Sequence, residues 1–203
     1  DFYHVGFGTI NGSDNKPFKT RDGGVYKLNL LFEDVKSKLT KYNSDDNVLN
    51  SLTNTVLTYS DLLPNRNQNY IFDVDKFTDI NGKTGIYIQY AQVRAKKLLE
   101  NSDIAGSFDN NLEMNDEERN LLFQITMFDN FFDLSLSNME PHHLAEYLYS
   151  LSQSFNSFYS NIKIFKDDLS LDIQKNRIKM VEEFYNTAKI VFECLGIKPV
   201  DSM

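Results

Sequence analysis

The sequence predicts a mainly α-helical protein in which a helical bundle follows a small irregular or β segment. Six segments carry apolar residues at helical spacing, whereas residues 1–26 combine loose alternation with glycines and turn dipeptides. The composition, 41% hydrophobic and 25% charged over 203 residues, is ordinary for a globular protein. No run of about 18 apolar residues occurs, so we expect no membrane span. The six segments are 27–43, 45–60, 84–100, 115–132, 141–162 and 172–195.

The N-terminal segment contains a polar, glycine-flanked loop that is rich in cations. Lys16, Lys19 and Arg21 place three positive charges within six residues. A basic loop of this kind can fold over phosphates and neutralise charge while a phosphoryl or nucleotidyl group is transferred. A solvated surface turn is the alternative interpretation.

Two helices and an extended stretch follow this loop. Residues 27–43 and 45–60 each have an apolar stripe. Pro64 and the asparagines around it end the second helix, because these residues favour turns. Residues 70–75 are aromatic and extended in character. We therefore place a domain boundary here, with residues 1–69 on one side and residues 70–203 on the other.

The helix over residues 84–100 carries two stripes. Its apolar stripe, which can seat the helix on a core, consists of Ile88, Ala91, Ala95, Leu98 and Leu99. Beside it lies a stripe of rings and cations, Tyr87, Tyr90, Arg94 and Lys97. Rings stack on bases and cations pair with phosphates, so the second stripe suits a single-stranded nucleic acid. A core helix with two tyrosines at its margin is the competing interpretation.

The remaining helices have recognisable ends. Asn115 and Glu118 have the spacing of a capping box, and Pro141 suits the first turn of a helix. Leu121, Leu122, Ile125, Phe128, Phe131 and Phe132 are predicted to enter the core after the capping box. Gly196 suits the end of the last helix. Within that helix, we expect Cys194 to be a buried small apolar residue.

Charge, histidine and cysteine content narrow the possible functions. The net charge of −8 counts against nucleic-acid binding if it is taken for the whole chain. However, residues 100–161 hold one basic against eleven acidic residues, so the acidity is confined to a segment that could face away from a polyanion.

His4, His142 and His143 show no recognised metal-ligand spacing, and no metal is predicted. A single cysteine is typical of a reducing compartment. The start of the chain has no signal peptide and no initiator Met, which fits a cytoplasmic protein and a fragment of a longer chain.

Several motifs resemble one family in its own order. Thr-Gly-x-Tyr-Ile-Gln-Tyr-Ala-x-x-Arg, residues 84–94, closely resembles the first helix of the anticodon-binding domain of arginyl-tRNA synthetases. Gly-x-Asp-x-Lys-Pro-Phe-Lys-Thr-Arg-x-Gly-Gly, residues 12–24, is similar to the end of the catalytic domain of that family. It stands where the family has its Lys-Met-Ser-Lys-Ser loop, although neither signature lysine is in its usual place. The helix after Pro141 and the ending on Met203 also resemble the family, which commonly has arginine at the position of His143.

The resemblance implies a fold, an activity and site residues. The fold would be the helical bundle of the class I synthetase anticodon-binding type, preceded by a remnant of the catalytic domain. The full enzyme would activate arginine with ATP, with Mg²⁺ accompanying the ATP, and charge an arginine tRNA. The ATP phosphates would be met by residues of the degenerate loop, namely Lys16, Lys19, Thr20 and Arg21. Unstacked anticodon-loop bases would be supported by Tyr87 or Tyr90, Tyr159 and Met203, and backbone phosphates by Arg94 and Lys97.

Three expectations accompany this interpretation. The chain alone should be inactive and bind no cofactor, because it lacks most of the ATP and arginine pocket, and we expect a monomer. A stand-alone tRNA-binding or protein-binding helical module is the first alternative. A purely structural bundle with its tyrosines in the core is the second.

Overall fold

The computed structural model describes residues 2–12, 15, 17, 27–109, 111–165 and 168–203. This part of the chain forms eight helices and one pair of two-residue strands, which confirms the predicted mainly α fold. None of the described helices is both long enough and apolar enough to cross a bilayer. In chain order the elements are β1 (Ile10–Asn11), α1 (Leu28–Leu39), α2 (Asp46–Leu62), β2 (Tyr70–Ile71), α3 (Val74–Phe77), α4 (Gly85–Glu100), α5 (Asp116–Thr126), α6 (Phe128–Asn138), α7 (His142–Asn161) and α8 (Leu171–Cys194).

The N-terminal segment is fastened to the stretch that follows α2. Strands β1 and β2 pair in parallel, with Ile10 opposite Tyr70. Just before β1, the Gly8 N–H donates to the Arg66 carbonyl at 2.6 Å. A Cβ atom at Gly8 would lie 2.3 Å from the Gln68 carbonyl oxygen, so only glycine permits this approach. The extended character of both stretches was predicted, but their pairing was not.

Helix α4 lies at the centre of the packing. The Thr84 hydroxyl caps its start by accepting from the Tyr87 N–H at 3.2 Å. Ile88, Ala91 and Ala95 are buried in the larger of two hydrophobic cores, to which α7 and α8 contribute most of the other residues. Ile86 and Val93 belong to the smaller core, which α4 shares with α1, α2 and α3. The packing of α2 on α4 crosses the predicted boundary at residues 69 and 70, and that boundary stays a prediction.

The second half of the bundle corrects three sequence expectations. The predicted segment 115–132 is two helices, because the chain turns at Met127, whose N–H caps α5. Phe132 is 37% exposed rather than in the core. Cys194 is exposed. Around the axis of α8 it lies about 60° from the buried Val191, on the side away from the buried Phe192.

The C-terminal tail docks on α4 instead of fraying. Gly196, at φ +68°, turns the chain after α8. The buried Gln89 side chain then donates to the Lys198 carbonyl at 2.9 Å and accepts from the Val200 N–H at 3.0 Å. Met203 is half-buried and packs against the smaller core. This agrees with the expectation of a docked terminal methionine.

Candidate nucleic-acid interface

Residues of α7 pack against the predicted RNA-binding stripe of α4. The rings of Tyr87 on α4 and Tyr149 on α7 have centroids 5.3 Å apart. Further along, the Arg94 guanidinium donates to the Asn156 side-chain oxygen at 3.0 Å. Both pairs are separated by 62 residues in sequence, so α4 and α7 run in the same direction in register. The two contacts lie about two helical turns, or roughly 10 Å, apart.

We call this line of contacts the α4–α7 seam. It comprises Tyr87, Tyr90 and Arg94 of α4 and Tyr149, Asn156 and Tyr159 of α7.

Arg94 is the centre of the seam. The central guanidinium carbon lies 4.0 Å from the Tyr90 ring centroid and 4.9 Å from that of Tyr159. A second Arg94 N–H group donates to the Tyr90 hydroxyl at 2.9 Å. Cation–π contacts of this geometry hold the charge and both rings in one orientation. Since its hydrogen-bond partners, Tyr90 and Asn156, are neutral, the positive charge of Arg94 is not cancelled by either of them.

Tyr159 presents part of its ring to solvent. Its side chain is 38% exposed, whereas Phe155 and Phe158 on the same helix are fully buried. A ring that is fixed by a cation and by Phe155, 6.1 Å away between centroids, is suited to receive a stacked base. The purely structural interpretation places the tyrosines in the core, and the exposed ring of Tyr159 speaks against it.

The other end of the seam was not fully predicted. Lys83 lies 5.5 Å above the Tyr149 ring and forms a 2.5 Å ion pair with Glu146. Burial raises the pKa of the Tyr149 hydroxyl, so it stays neutral at physiological pH. Sequence reasoning missed Lys83, Tyr149 and Asn156. The spacing of Tyr149, Asn156 and Tyr159 along one face of α7 was the available signal.

The remaining predicted RNA contacts lie at the margin of the seam. Lys97 is exposed on α4, one turn beyond Arg94. Met203 packs on the smaller core, which also contains Ile86 and Val93 of α4. The structure therefore brings Tyr90, Arg94 and Tyr159 together and joins Tyr87 to Tyr149. Met203 lies apart from them, on the smaller core.

Part of the acidic segment packs away from the seam. Helix α5, which begins with three acidic residues, lines a polar pocket with Ser150, Ser154 and Ser157 of α7. Ser157 lies about 160° around α7 from Tyr159. Within the same segment, Glu118 is buried and paired with Arg177 at 2.7 Å. Glu146, in the same segment, lies instead beside the seam, paired with Lys83. That the acidity as a whole faces away from a polyanion stays a prediction.

The predicted ATP-binding loop falls mostly outside the described residues. Lys16, Lys19, Thr20 and Arg21 are all outside them. Pro17, which is described, borders a cavity of about 590 Å³ between the N-terminal segment and the end of α2. Other lining residues include Phe7, Arg66, Tyr70 and Pro141. The roles of the four loop residues stay predictions.

Comparison with protein-family models gives two matches. Residues 88–203 match the DALR anticodon binding domain. Residues 1–74 match the catalytic domain of tRNA synthetases class I (R). The seam lies almost entirely in the first region, since Tyr87 alone precedes it.

Relatives and solved structures agree with these matches. An arginine–tRNA ligase of Francisella tularensis (strain FSC 198) is 37% identical over 98% of this chain, and one of Hyphomonas neptunium is 34% identical. The chain spans about a third, 36%, of the length of each of these relatives. A Thermus thermophilus arginyl-tRNA synthetase shares the fold with a TM-score of 0.86 at 19% identity, over 98% of this chain and 35% of that one. A Plasmodium falciparum arginyl-tRNA synthetase matches over the same shares with a TM-score of 0.77 at 27% identity.

These findings confirm the family that the sequence motifs predicted. The anticodon-binding model covers more than half of the chain. The chain therefore belongs to the DALR anticodon-binding domain family, with part of a class I (R) tRNA synthetase catalytic domain in front of that domain.

Proposed function

We propose that the α4–α7 seam binds the anticodon stem-loop of an arginine tRNA, as part of a ligase that activates arginine with ATP. The observation that carries the proposal is the Arg94 guanidinium held between Tyr90 and the partly exposed Tyr159. A ring held in place offers a surface on which a base can stack, and the positive charge beside it can pair with the phosphate of that nucleotide. The match of residues 1–74 to a catalytic-domain model favours a ligase over a stand-alone module.

Each seam residue has a proposed task. Tyr159 stacks on an unstacked loop base, and Tyr87 with Tyr149 provides a second aromatic surface two turns away. Arg94 uses two of its five N–H donors on Asn156 and Tyr90, which leaves donors for a phosphate oxygen. Lys97 adds a second phosphate contact, and Met203, which packs on the smaller core, is proposed to support a loop base.

The catalytic half of the activity depends on more chain than these 203 residues. In the described part, the strands amount to two of two residues each, so the parallel sheet of a nucleotide-binding domain is not among them. ATP with Mg²⁺ would be bound by the longer enzyme, where Lys16, Lys19, Thr20 and Arg21 would meet the phosphates. We expect the 203-residue chain to show no arginine-dependent ATP–pyrophosphate exchange. A monomeric, cytoplasmic enzyme remains our expectation.

The test is tRNA binding by the 203-residue chain, measured by fluorescence anisotropy with an arginine tRNA and with a second tRNA. Because a stacked base contributes about 1–3 kcal/mol, Tyr159→Ala should weaken binding about tenfold or more. Tyr159→Phe keeps the ring and should bind as the unmodified chain does. Phe123→Ala, which removes a 57% exposed ring from α5, is the matched control. Unchanged affinity of Tyr159→Ala, or equal binding of both tRNAs, would contradict the proposal.

The role of Arg94 has its own measurement. Arg94→Ala should make the negative slope of log K against log salt shallower by about 0.7–1, which is the contribution of one phosphate contact. Lys97→Ala should have the same effect without disturbing Tyr90 and Tyr159. If the slope of Arg94→Ala is unchanged while its affinity falls, Arg94 only positions the rings.

A further inference from the structure

Three side chains with metal-ligating atoms meet where α6 passes into α7. The Glu140 Oε2 atom lies 3.2 Å from Nε2 of His143 and 3.9 Å from Nδ1 of His142. All three ligand atoms lie within 4.8 Å of one another. Ligand atoms at about 2.0–2.1 Å from a tetrahedral zinc ion are roughly 3.3–3.4 Å apart. The spacing between Glu140 and His143 is therefore that of a bound ion, and the spacing between Glu140 and His142 exceeds it by about 0.5 Å.

One of the three candidate ligand atoms makes no hydrogen bond. Nδ1 of His142 is buried and has no hydrogen-bond partner. A buried polar atom without a partner is destabilising, and metal coordination would satisfy it.

The carboxylate is held ready by groups around it. Asn65 donates its side-chain N–H to Oε1 of Glu140 at 3.3 Å, while Oε2 faces the histidines. The Glu140 N–H donates to the Ser135 carbonyl at 2.9 Å, and the Ser135 hydroxyl donates to the Glu140 carbonyl at 2.9 Å. Outer contacts that orient a ligand in this way are a regular feature of metal sites.

Two features oppose a cation here and make the charge of Glu140 essential. The Arg66 guanidinium donates to the carbonyls of Asn138 and Met139, next to Glu140, and the N-terminus of α7 carries a partial positive charge. A neutral residue at position 140 would leave the ion without its first compensating charge.

We propose that Glu140, His142 and His143 bind one divalent transition-metal ion, and that zinc fits this donor set best. Two imidazoles and one carboxylate suit zinc and its neighbours, whereas magnesium and calcium prefer oxygen ligands alone. The bound ion would fix the corner between α6 and α7 to the loop at Asn65. That loop and Pro141 line the cavity beside the N-terminal segment, so the ion would stiffen one wall of it.

The sequence predicts no metal here, although Glu140 and the two histidines lie within four consecutive residues. Their side chains meet in the first turn of α7, where the His143 N–H donates to the Glu140 carbonyl at 3.3 Å.

The test uses the untagged 203-residue chain, freed of metal. Calorimetric titration with Zn²⁺ should show one ion per chain, and Co²⁺ should give the visible absorption of a nitrogen- and oxygen-ligated site. Glu140→Gln, His142→Ala and His143→Gln should each weaken binding by more than the roughly 10–100-fold that loss of an outer contact causes. Asn65→Ala should weaken it by about 10–100-fold. His143→Gln can still donate to Glu140, so it separates loss of a ligand from loss of fold.

His4→Ala is the matched control, because His4 is the one histidine outside the cluster. Its affinity for Zn²⁺ should equal that of the unmodified chain. The proposal is overturned if the unmodified chain takes up no Zn²⁺, or if the variant with all three ligands replaced still binds one ion. It is equally overturned if circular dichroism shows folded ligand variants whose affinity is unchanged.

Discussion

Replacement of Gln89 by leucine should detach the C-terminal tail from α4. The Gln89 side chain is fully buried and makes three hydrogen bonds. It donates to the Thr55 hydroxyl at 2.8 Å and to the Lys198 carbonyl at 2.9 Å, and it accepts from the Val200 N–H at 3.0 Å. Leucine has a similar volume but none of these groups, so the substitution removes the bonds while leaving the space filled.

The expected cost follows from the number of bonds and the groups left behind. Each bond contributes a net amount of about 0.5–1.5 kcal/mol, and an abandoned buried group costs about 1–3 kcal/mol. Because the tail can reach water by undocking, we expect a loss of about 2–4 kcal/mol in the free energy of unfolding. For a chain of this length each kcal/mol lowers Tm by about 2–4 °C, so Tm should fall by about 4–16 °C.

Gln92→Leu is the matched control on the same helix. Gln92 is also buried, but its Nε2 makes a single bond, to the Tyr185 carbonyl at 3.2 Å, and its Oε1 has no partner. Leucine there should change the free energy of unfolding by less than about 1 kcal/mol, because an unsatisfied oxygen is removed together with the bond.

Two measurements examine the pair of variants. Thermal unfolding followed by circular dichroism gives Tm, and amide hydrogen exchange reports the Val200 N–H. In Gln89→Leu that exchange should quicken at least tenfold, which corresponds to about 1.4 kcal/mol of lost protection. Equal Tm losses in both variants, or a Val200 amide that stays protected in Gln89→Leu, would refute the reasoning.

Two further substitutions address the packing and the acidic segment. Gly85→Ala should lower the unfolding free energy by about 1–3 kcal/mol in chemical denaturation, because its Cβ would lie 2.9 Å from the backbone oxygen of Thr55; a stability equal to that of the unmodified chain would show that α2 and α4 can separate at no cost. Glu118→Ala should cost about 3–5 kcal/mol, since it leaves the Arg177 side chain, only 13% exposed, without its carboxylate and also removes the capping-box carboxylate of α5. Asp116→Ala, which removes an exposed ion pair from the same helix, should cost at most about 1 kcal/mol, and equal losses in the two α5 variants would contradict this account.

The features that the sequence predicted well depend on neighbouring residues. The capping box of Asn115 and Glu118 forms as expected, with bonds of 2.9 and 2.8 Å, because its partners are three residues apart. Pro141 starts α7 and Gly196 turns the chain after α8 for the same local reason. The helical stripe of α7 was also predictable, and Tyr159 at its edge is the member that reaches solvent.

The features that the sequence did not predict depend on how distant helices meet. The pairing of Tyr87 with Tyr149 and of Arg94 with Asn156 requires α4 and α7 to run in the same direction in register, which no local pattern specifies. The exposure of Cys194 was missed because its neighbours are apolar, although its angle on α8 places it outside the buried arc. Hydrophobicity of a segment therefore predicted burial less well than the position of each residue around its helix.

The seam can be rigid because α4 is buried on both sides of it. Around the axis of α4, the residues of the larger core and those of the smaller core occupy separate arcs. Tyr87, Tyr90 and Arg94 lie in the gap of roughly 140° between Ile86 and Ala91, the nearest residues of these arcs. Side chains on a helix anchored from two sides lose little conformational freedom when a ligand arrives, so more of each contact appears as affinity. The buried Gln89 acts on the same helix, and its loss should weaken tRNA binding without any direct contact with RNA.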